Sequence, residues 1–238
     1  MMNIEVVLSP ALLHLSDIKD KNVVVIDILR ATSTICTAIH EGAEAVKAVK
    51  DIEQAKGLGS KGYLTAAERN GQKLDGFDMG NSPFECMNGA VKGRKIALTT
   101  TNGTKCIEAA ANDGAANVLS GSFLNLEATA EWLLKDGRDV VLFCAGWKDS
   151  FNLEDTLYAG AMAKTLSEKT NCLIDCDAAL MSIDLYNMAK ENLMDYLTKS
   201  SHYKRLSHLH HDEDMVYCLQ KSIFQTVVGI VDTEMKKM

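Results

Sequence analysis

Proline is scarce in this chain. Pro10 and Pro83 are the only two among 238 residues. Long linkers and disordered tracts, which favour proline and avoid apolar residues, are therefore not expected. No apolar run approaches the ~20 residues that a membrane-spanning helix requires, and the opening MMNIEVVLSP has no basic segment leading into a long apolar one. A secretory leader is not expected. Basic residues are in the minority, 25 against 32 acidic, for a formal net charge of -7. That balance argues against a nucleic-acid surface, but a small anion needs only a local pocket of amides with a few cations or a metal. The seven cysteines form no C-x-x-C pair, and most sit in apolar runs such as VLFCAG and STICTAI. They read as small core residues of a reduced, cytoplasmic protein. There is no G-K-[ST] nucleotide loop, and neither Cys36 nor Cys86 has the arginine six positions on that a cysteine phosphatase needs.

What is present is ordinary globular material, 47% hydrophobic and 24% charged, enough for a full core without staples. The length suits one domain over 1–238, with two sublobes at about 1–115 and 116–238 as a possible subdivision. Short β-rich runs alternate with helical patterns. Val23 to Leu29 (VVVIDIL) and Val140 to Ala145 (VVLFCA) read as buried parallel strands. Further strands are expected at Ile4 to Leu8, Ala45 to Val49, Gly62 to Thr65, Lys95 to Thr99 and Asn117 to Leu119. Helices are expected at Ala31 to Glu41, Asp51 to Lys56, Gly103 to Asn112, Leu126 to Lys135 and Glu154 to Glu168. Residues 66–89 carry almost no periodicity and read as a long functional loop. Residues 176–221 read as mostly helical, and Thr226 to Val231 as a last strand. The alternation predicts an α/β fold with a largely parallel or mixed sheet.

In such sheets ligands bind at the carboxyl ends of the strands, and three of these ends are unusually polar. In VVVIDILRATST, Asp27 interrupts an apolar strand, and Arg30, Thr32 and Ser33 follow at the turn. A buried aspartate needs a metal, a cation or hydrogen bonds; a capping cluster with an Asp27–Arg30 ion pair is the simpler alternative. In IALTTTNGTK, Thr100, Thr101, Asn102, Gly103 and Thr104 lead into a helix, and free amides with several hydroxyls make an anion site there. One helix cap needs one such residue, not five. In AGWKDSFNLEDTLYAGA, Glu154 and Asp155 open a helix, which by itself is ordinary dipole chemistry. The long loop adds Glu68, Arg69, Asp78, Asn81 and Ser82. Hard oxygen ligands of this kind suit magnesium.

Other signals are weaker. GLGSKG at 57–62 has the letters of a dinucleotide fingerprint but follows a helix and precedes a strand, the wrong order. Asp175-Cys176-Asp177 lacks the residues that accompany an aspartyl-phosphate motif. His208, His210, His211, Asp212 and Asp214 (HLHHDED) read as a solvated turn, with no matching cluster to complete a metal site.

Taken together, VVVIDILRATST, ERNGQKLDGFDMGNSPFE, TTTNGTK and AGWKDSFNLEDTLYAGA resemble the 2-phosphosulfolactate phosphatase family over about residues 4–231. The resemblance implies a three-layer α/β/α sandwich, dependence on Mg2+, and hydrolysis of 2-phospho-3-sulfolactate to 3-sulfolactate and phosphate, a step toward coenzyme M. On that basis Asp27, Glu68 and one or both of Glu154 and Asp155 are expected to hold the metal, with Asp27, Glu68 and Asp155 catalytic. Arg30, Thr32, Ser33, Arg69, Asn81, Ser82, Thr100, Thr101, Asn102, Gly103 and Thr104 are expected to bind the small anionic phosphoester. A phosphoenzyme and direct attack by water both remain open. Another phosphorylated hydroxy acid as substrate, or a sensor without turnover, stays as an alternative. A homodimer is possible, with no membrane or nucleic-acid partner.

Overall fold

The apolar runs become strands in the computed structural model, which describes all 238 residues. β2 (Asn22–Ile26) is buried along its whole length and lies between β8 (Val140–Cys144) and β7 (Asn117–Gly121), parallel to both. β1 (Ile4–Val7) adds in parallel outside β8. These four strands form one block of the sheet.

A second parallel block comprises β3 (Ala45–Ala48), β6 (Lys95–Thr99) and β4 (Leu64–Arg69), with β5 (Gln72–Lys73) antiparallel at the edge. The hairpin β9 (Val228–Val231) and β10 (Glu234–Lys237) joins the blocks into one sheet of ten strands, ordered β1-β8-β2-β7-β9-β10-β3-β6-β4-β5. Each join is a single register pair, Leu119 with Gly229 and Met235 with Val46.

Three successive antiparallel joins nominally reverse the second block against the first. Sheet twist counters this reversal. At roughly 20–25° per strand, the five steps from β2 to β6 accumulate over ~100° of rotation. The carboxyl ends of the two blocks are thereby swung toward each other. The contact is direct: a Cβ added to Gly103, just past β6, would meet Asp27 Oδ2, just past β2, at 2.6 Å.

Side-chain alternation along each strand feeds two helical layers. Val23 and Val25 face α1 (Ala31–His40) and α3 (Gly103–Asn112) on one side, in a core shared with Ile96 and Leu98. Val24, Ile26 and Leu142 face the other side. There α4 (Leu126–Asp136), α5 (Leu153–Lys169) and α6 (Asp177–Ala189) cover the first block. α2 (Ile52–Gly59) covers the second block on this same side through Ala55, against Ala67 and Ala97. The result is the expected α/β sandwich, with a mixed sheet at its centre. Three short helices, α7 (Leu193–Leu197), α8 (Ser201–Ser207) and α9 (Asp212–Cys218), complete the chain before the hairpin. All seven cysteines are unpaired, and five of them are buried. No helix is long and apolar enough to cross a membrane.

Two local expectations need correction. β4 does not stop at Thr65 but runs on to Arg69, so the first part of the supposed loop is sheet. Its strand character comes from pairing with β6 through Ala67 and Thr99, which no local pattern in AAER announces. β10, with the sequence EMKK, is also real strand despite its polarity. Glu234 is neutralised there by Lys95 at 3.1 Å and accepts a hydrogen bond from the Tyr63 hydroxyl at 2.5 Å.

Candidate active site

Asp27 ends β2 where the backbone turns into α1. Its amide donates to Thr32 Oγ1 at 3.0 Å, and the Thr32 amide returns a bond to the Asp27 carbonyl, also at 3.0 Å. One carboxylate oxygen accepts weakly from the Ala31 amide at 3.3 Å; the other accepts from no group in the protein. Burial raises the carboxyl from 3.8 to about 6, aided by Glu68 and Glu154, with His202 and the Ala31 amide pulling the other way. Thr32 is thus a turn-former. So is Ser33, fully buried, whose hydroxyl donates to the Ile28 carbonyl at 2.9 Å and lies 3.0 Å from Ser122 Oγ.

Glu68 arrives from the end of β4 in the other block. Its carboxylate accepts from the Thr101 amide and hydroxyl, each at 3.3 Å, and from the Gly71 amide. Thr100 and Thr104 are buried and bonded to each other, Thr100 amide to Thr104 Oγ1 at 3.2 Å and Thr104 amide to Thr100 Oγ1 at 3.4 Å. They lock the turn, each Oγ1 accepting from the other residue's amide. The amides of Asn102 and Gly103, by contrast, donate to nothing in the protein. Free N–H groups at the start of a ten-residue helix form an anion site. Gly103 is required by proximity: a methyl there would strike Asp27 and the Ala31 Cβ at 2.8 Å.

Glu154 and Asp155 open α5 and are fully buried. Asp155 ties two strand ends together: its oxygens accept from the Ile28 amide at 2.9 Å and the Gly146 amide at 3.0 Å. Burial, together with Glu154 and Asp27, pushes its carboxyl well above the ordinary range. Glu154 pairs through one oxygen with His202 Nδ1 of α8, and its other oxygen is buried without a partner.

Arg30 does not pair with Asp27. Its guanidinium is buried against Asp214 of α9, with His211 Nδ1 at 3.1 Å and the Gly71 carbonyl at 3.1 Å. Ser82 donates to the same Asp214 at 2.6 Å. HLHHDED is therefore not simply a solvated turn; Asp214 is only 4% exposed and clamps the polar loop to the end of β2. Asp214→Ala strands a buried guanidinium and is expected to lower stability by about 3 kcal/mol in urea denaturation. Arg69 is likewise committed, to its neighbour's carbonyl at 2.6 Å and to Thr99 Oγ1 at 3.0 Å. Asn81 is buried with its side-chain oxygen unpartnered, and its backbone carbonyl accepts from Thr34 Oγ1 at 3.0 Å.

One cleft unites these segments. Asp27, Arg30, Glu68, Asn81 and Asn102 line it, together with Trp147, His202 and Leu206. The last three were not anticipated. Trp147 lay in a quoted motif, but the α8 residues sit in SHYKRLS, a stretch with no periodic or motif signal. Only tertiary placement brings them in.

Four carboxylates sharing one cation is more than the arrangement supports, for no group of three or more acidic, histidine or cysteine side chains converges with metal-ligating geometry. Asp155 is fully buried, does not line the cleft, and has each oxygen turned to a backbone amide. A smaller set does fit. Magnesium is usually held by one or two carboxylates, with waters and substrate oxygens completing the octahedron. The unbonded oxygen of Asp27, with Glu68 in the same cleft, satisfies that requirement.

Strand ends that converge on a cleft lined by charged side chains are where α/β sandwiches bind small molecules. A family model described as 2-phosphosulpholactate phosphatase matches residues 7–233, and the chain belongs to that family. A protein named "Probable 2-phosphosulfolactate phosphatase" from Thermotoga petrophila is 42% identical over 230 residues, 96% of either chain. One of the same name from Caldanaerobacter subterraneus subsp. tengcongensis is 41% identical, covering 91% of this chain and 92% of its own. A third, from Nostoc sp., is 36% identical over 87% of each.

Proposed function

We propose that this protein is a phosphoric monoester hydrolase that converts 2-phospho-3-sulfolactate and water to 3-sulfolactate and phosphate, with Mg2+ bound at Asp27 and Glu68. The observation that carries the reading is the pairing, in one cleft, of a buried aspartate with an unbonded oxygen and two free helix-start amides. Family membership supports the phosphoester class.

The amides of Asn102 and Gly103 donate to phosphate oxygens and fix the phosphoryl group against the strand ends. Asp27 and Glu68 would hold magnesium, which would supply neutralisation of the phosphate's charge. Asp27 acts beside the phosphorus, either as base toward water or as attacking carboxylate, and the stereochemical course at an isotopically chiral phosphate ester, inversion for one displacement and retention for two, separates these routes. In net balance, the bridging P–O bond breaks, a water oxygen joins phosphorus, and a proton goes to the leaving hydroxyl. Glu68 also ties the Thr101 turn to Gly71 through the hydrogen bonds its carboxylate accepts. Asp155 holds Ile28 and Gly146 so that the ends of β2 and β8 stay together.

A phosphate-release screen over small acidic phosphoesters, with Mg2+ and with chelator, tests the proposal. Release from 2-phosphosulfolactate that chelator abolishes supports it. Release only from sulfur-free esters reassigns the substrate, and no release from any ester under either condition contradicts phosphatase activity.

A further inference from the structure

Resting on the phosphoester reading, we infer that Arg205 is the specificity residue of the cleft, its guanidinium holding one of the two anionic groups of the substrate that are not hydrolysed. α8 carries His202 and Leu206 on the cleft wall. Arg205 lies three residues beyond His202, on the same helical face. Its guanidinium carbon sits 3.8 Å from the ring centre of Trp147, itself a cleft residue. Nε and Nη2 are shielded from solvent, yet they donate to nothing in the protein.

A guanidinium left this way is unusual. Buried donors are nearly always satisfied, and an unmade hydrogen bond from a charged group is costly. Stacking on tryptophan offsets only part of that cost. Burial lowers the arginine's affinity for its proton, while Glu154 and Glu68 raise it. Those two acids are therefore neighbours in charge, but neither forms an ion pair with Arg205; Glu154 is paired with His202 and Glu68 is bonded to Thr101 and Gly71.

The other arginines expected at the site are occupied. Arg30 is spent on Asp214 and the Gly71 carbonyl, and Arg69 on Thr99 and its neighbour's carbonyl. A substrate bearing phosphate, carboxylate and sulfonate brings three anionic groups to a cleft already rich in acids. The phosphate has the free amides of Asn102 and Gly103 and the cation at Asp27. The carboxylate and sulfonate remain, and Arg205 is the arginine beside the cleft with unpaired N–H groups to give to one of them. A planar guanidinium can grip two oxygens of a carboxylate or a sulfonate at once.

The test uses the full chain with Mg2+ and reads equilibrium binding and turnover separately. Calorimetry compares wild type, Arg205→Ala and Arg205→Lys for 3-sulfolactate, lactate and 2-hydroxyethanesulfonate. Steady-state phosphate release uses the matching phosphate esters, with a simple alkyl phosphate as control. Arg205→Ala is expected to weaken 3-sulfolactate binding about 30-fold, the loss of a charge-assisted bidentate contact. KM for the acidic esters should rise similarly, kcat should change only a few-fold, and values for the alkyl phosphate should not move. Arg205→Lys should recover part of the loss. Whichever of lactate or 2-hydroxyethanesulfonate shows the Arg205 dependence identifies the anion held.

Unchanged binding and KM in Arg205→Ala overturn the inference, as does an equal loss on the alkyl phosphate, which marks a purely structural stacking role. If wild type binds 3-sulfolactate through Arg205 but hydrolyses no ester, the inference stands and the phosphatase reading fails.

Discussion

Asp27→Asn is expected to lower kcat by about 10³-fold or more, because it removes a positioned charge at a phosphoryl site. The same substitution should stabilise the metal-free fold. The Asp27 carboxyl is raised from 3.8 to about 6 chiefly by burial, so the folded state holds its proton more tightly than the unfolded chain. The stability this confers is fully present below about pH 4 and is lost as pH rises through about 6. At pH 7 the ionised, buried group costs the wild type roughly 3 kcal/mol. An asparagine never ionises and escapes that cost. Melting curves with chelator from pH 4 to 8 should therefore show the variant above wild type at pH 7, with the gap closing toward pH 4. A variant that keeps near-normal turnover removes Asp27 from the chemistry, and equal melting at pH 7 removes the account of its burial.

Asp155→Ala should act in the opposite sense. It leaves the buried amides of Ile28 and Gly146 without an acceptor. At about 1–3 kcal/mol for each orphaned group, with a further contribution from the cavity, the loss is about 3–6 kcal/mol in chemical denaturation. Activity falls because the ends of β2 and β8 are no longer pinned. Asp155→Asn retains an acceptor oxygen and should lose less than half as much stability. Equal stability of Asp155→Ala and wild type contradicts the bracing role.

The contrast between these two aspartates explains what the sequence could and could not reveal. Asp27 stood out because it breaks a run of apolar residues, VVVIDIL, and a charge inside a buried strand has few explanations. Asp155 looked equivalent, yet its partners are backbone amides from residues 9 and 127 positions away, and a local pattern carries no record of them. The turn after β6 reads in the sequence as an anion site built on hydroxyls; in the fold the amides of Asn102 and Gly103 are the unpaired donors there, while Oγ1 of Thr100 and of Thr104 each accepts from the other residue's amide.

Strand order was less accessible. β2, β6 and β8 follow from their apolar runs. The polar hairpin that joins the two blocks, and the twist that swings their ends together, depend on single register pairs and on Glu234 meeting Lys95. α8 was the largest omission. Ser201–Ser207 has neither periodicity nor motif, so His202 and Arg205 enter the site only through tertiary packing against Glu154 and Trp147. HLHHDED was misread for the same reason, since the partner that buries Asp214 is Arg30, 184 residues away.

Manganese, a paramagnetic stand-in for magnesium, can count the proposed site directly. Titration of the full chain followed by electron paramagnetic resonance, with phosphate present, should give one bound ion per chain. Asp27→Asn and Glu68→Gln should each abolish that binding, and Asp155→Asn should preserve it. Wild-type manganese affinity in Asp27→Asn, or loss of binding only in Asp155→Asn, would contradict a cation held where the ends of β2 and β4 meet.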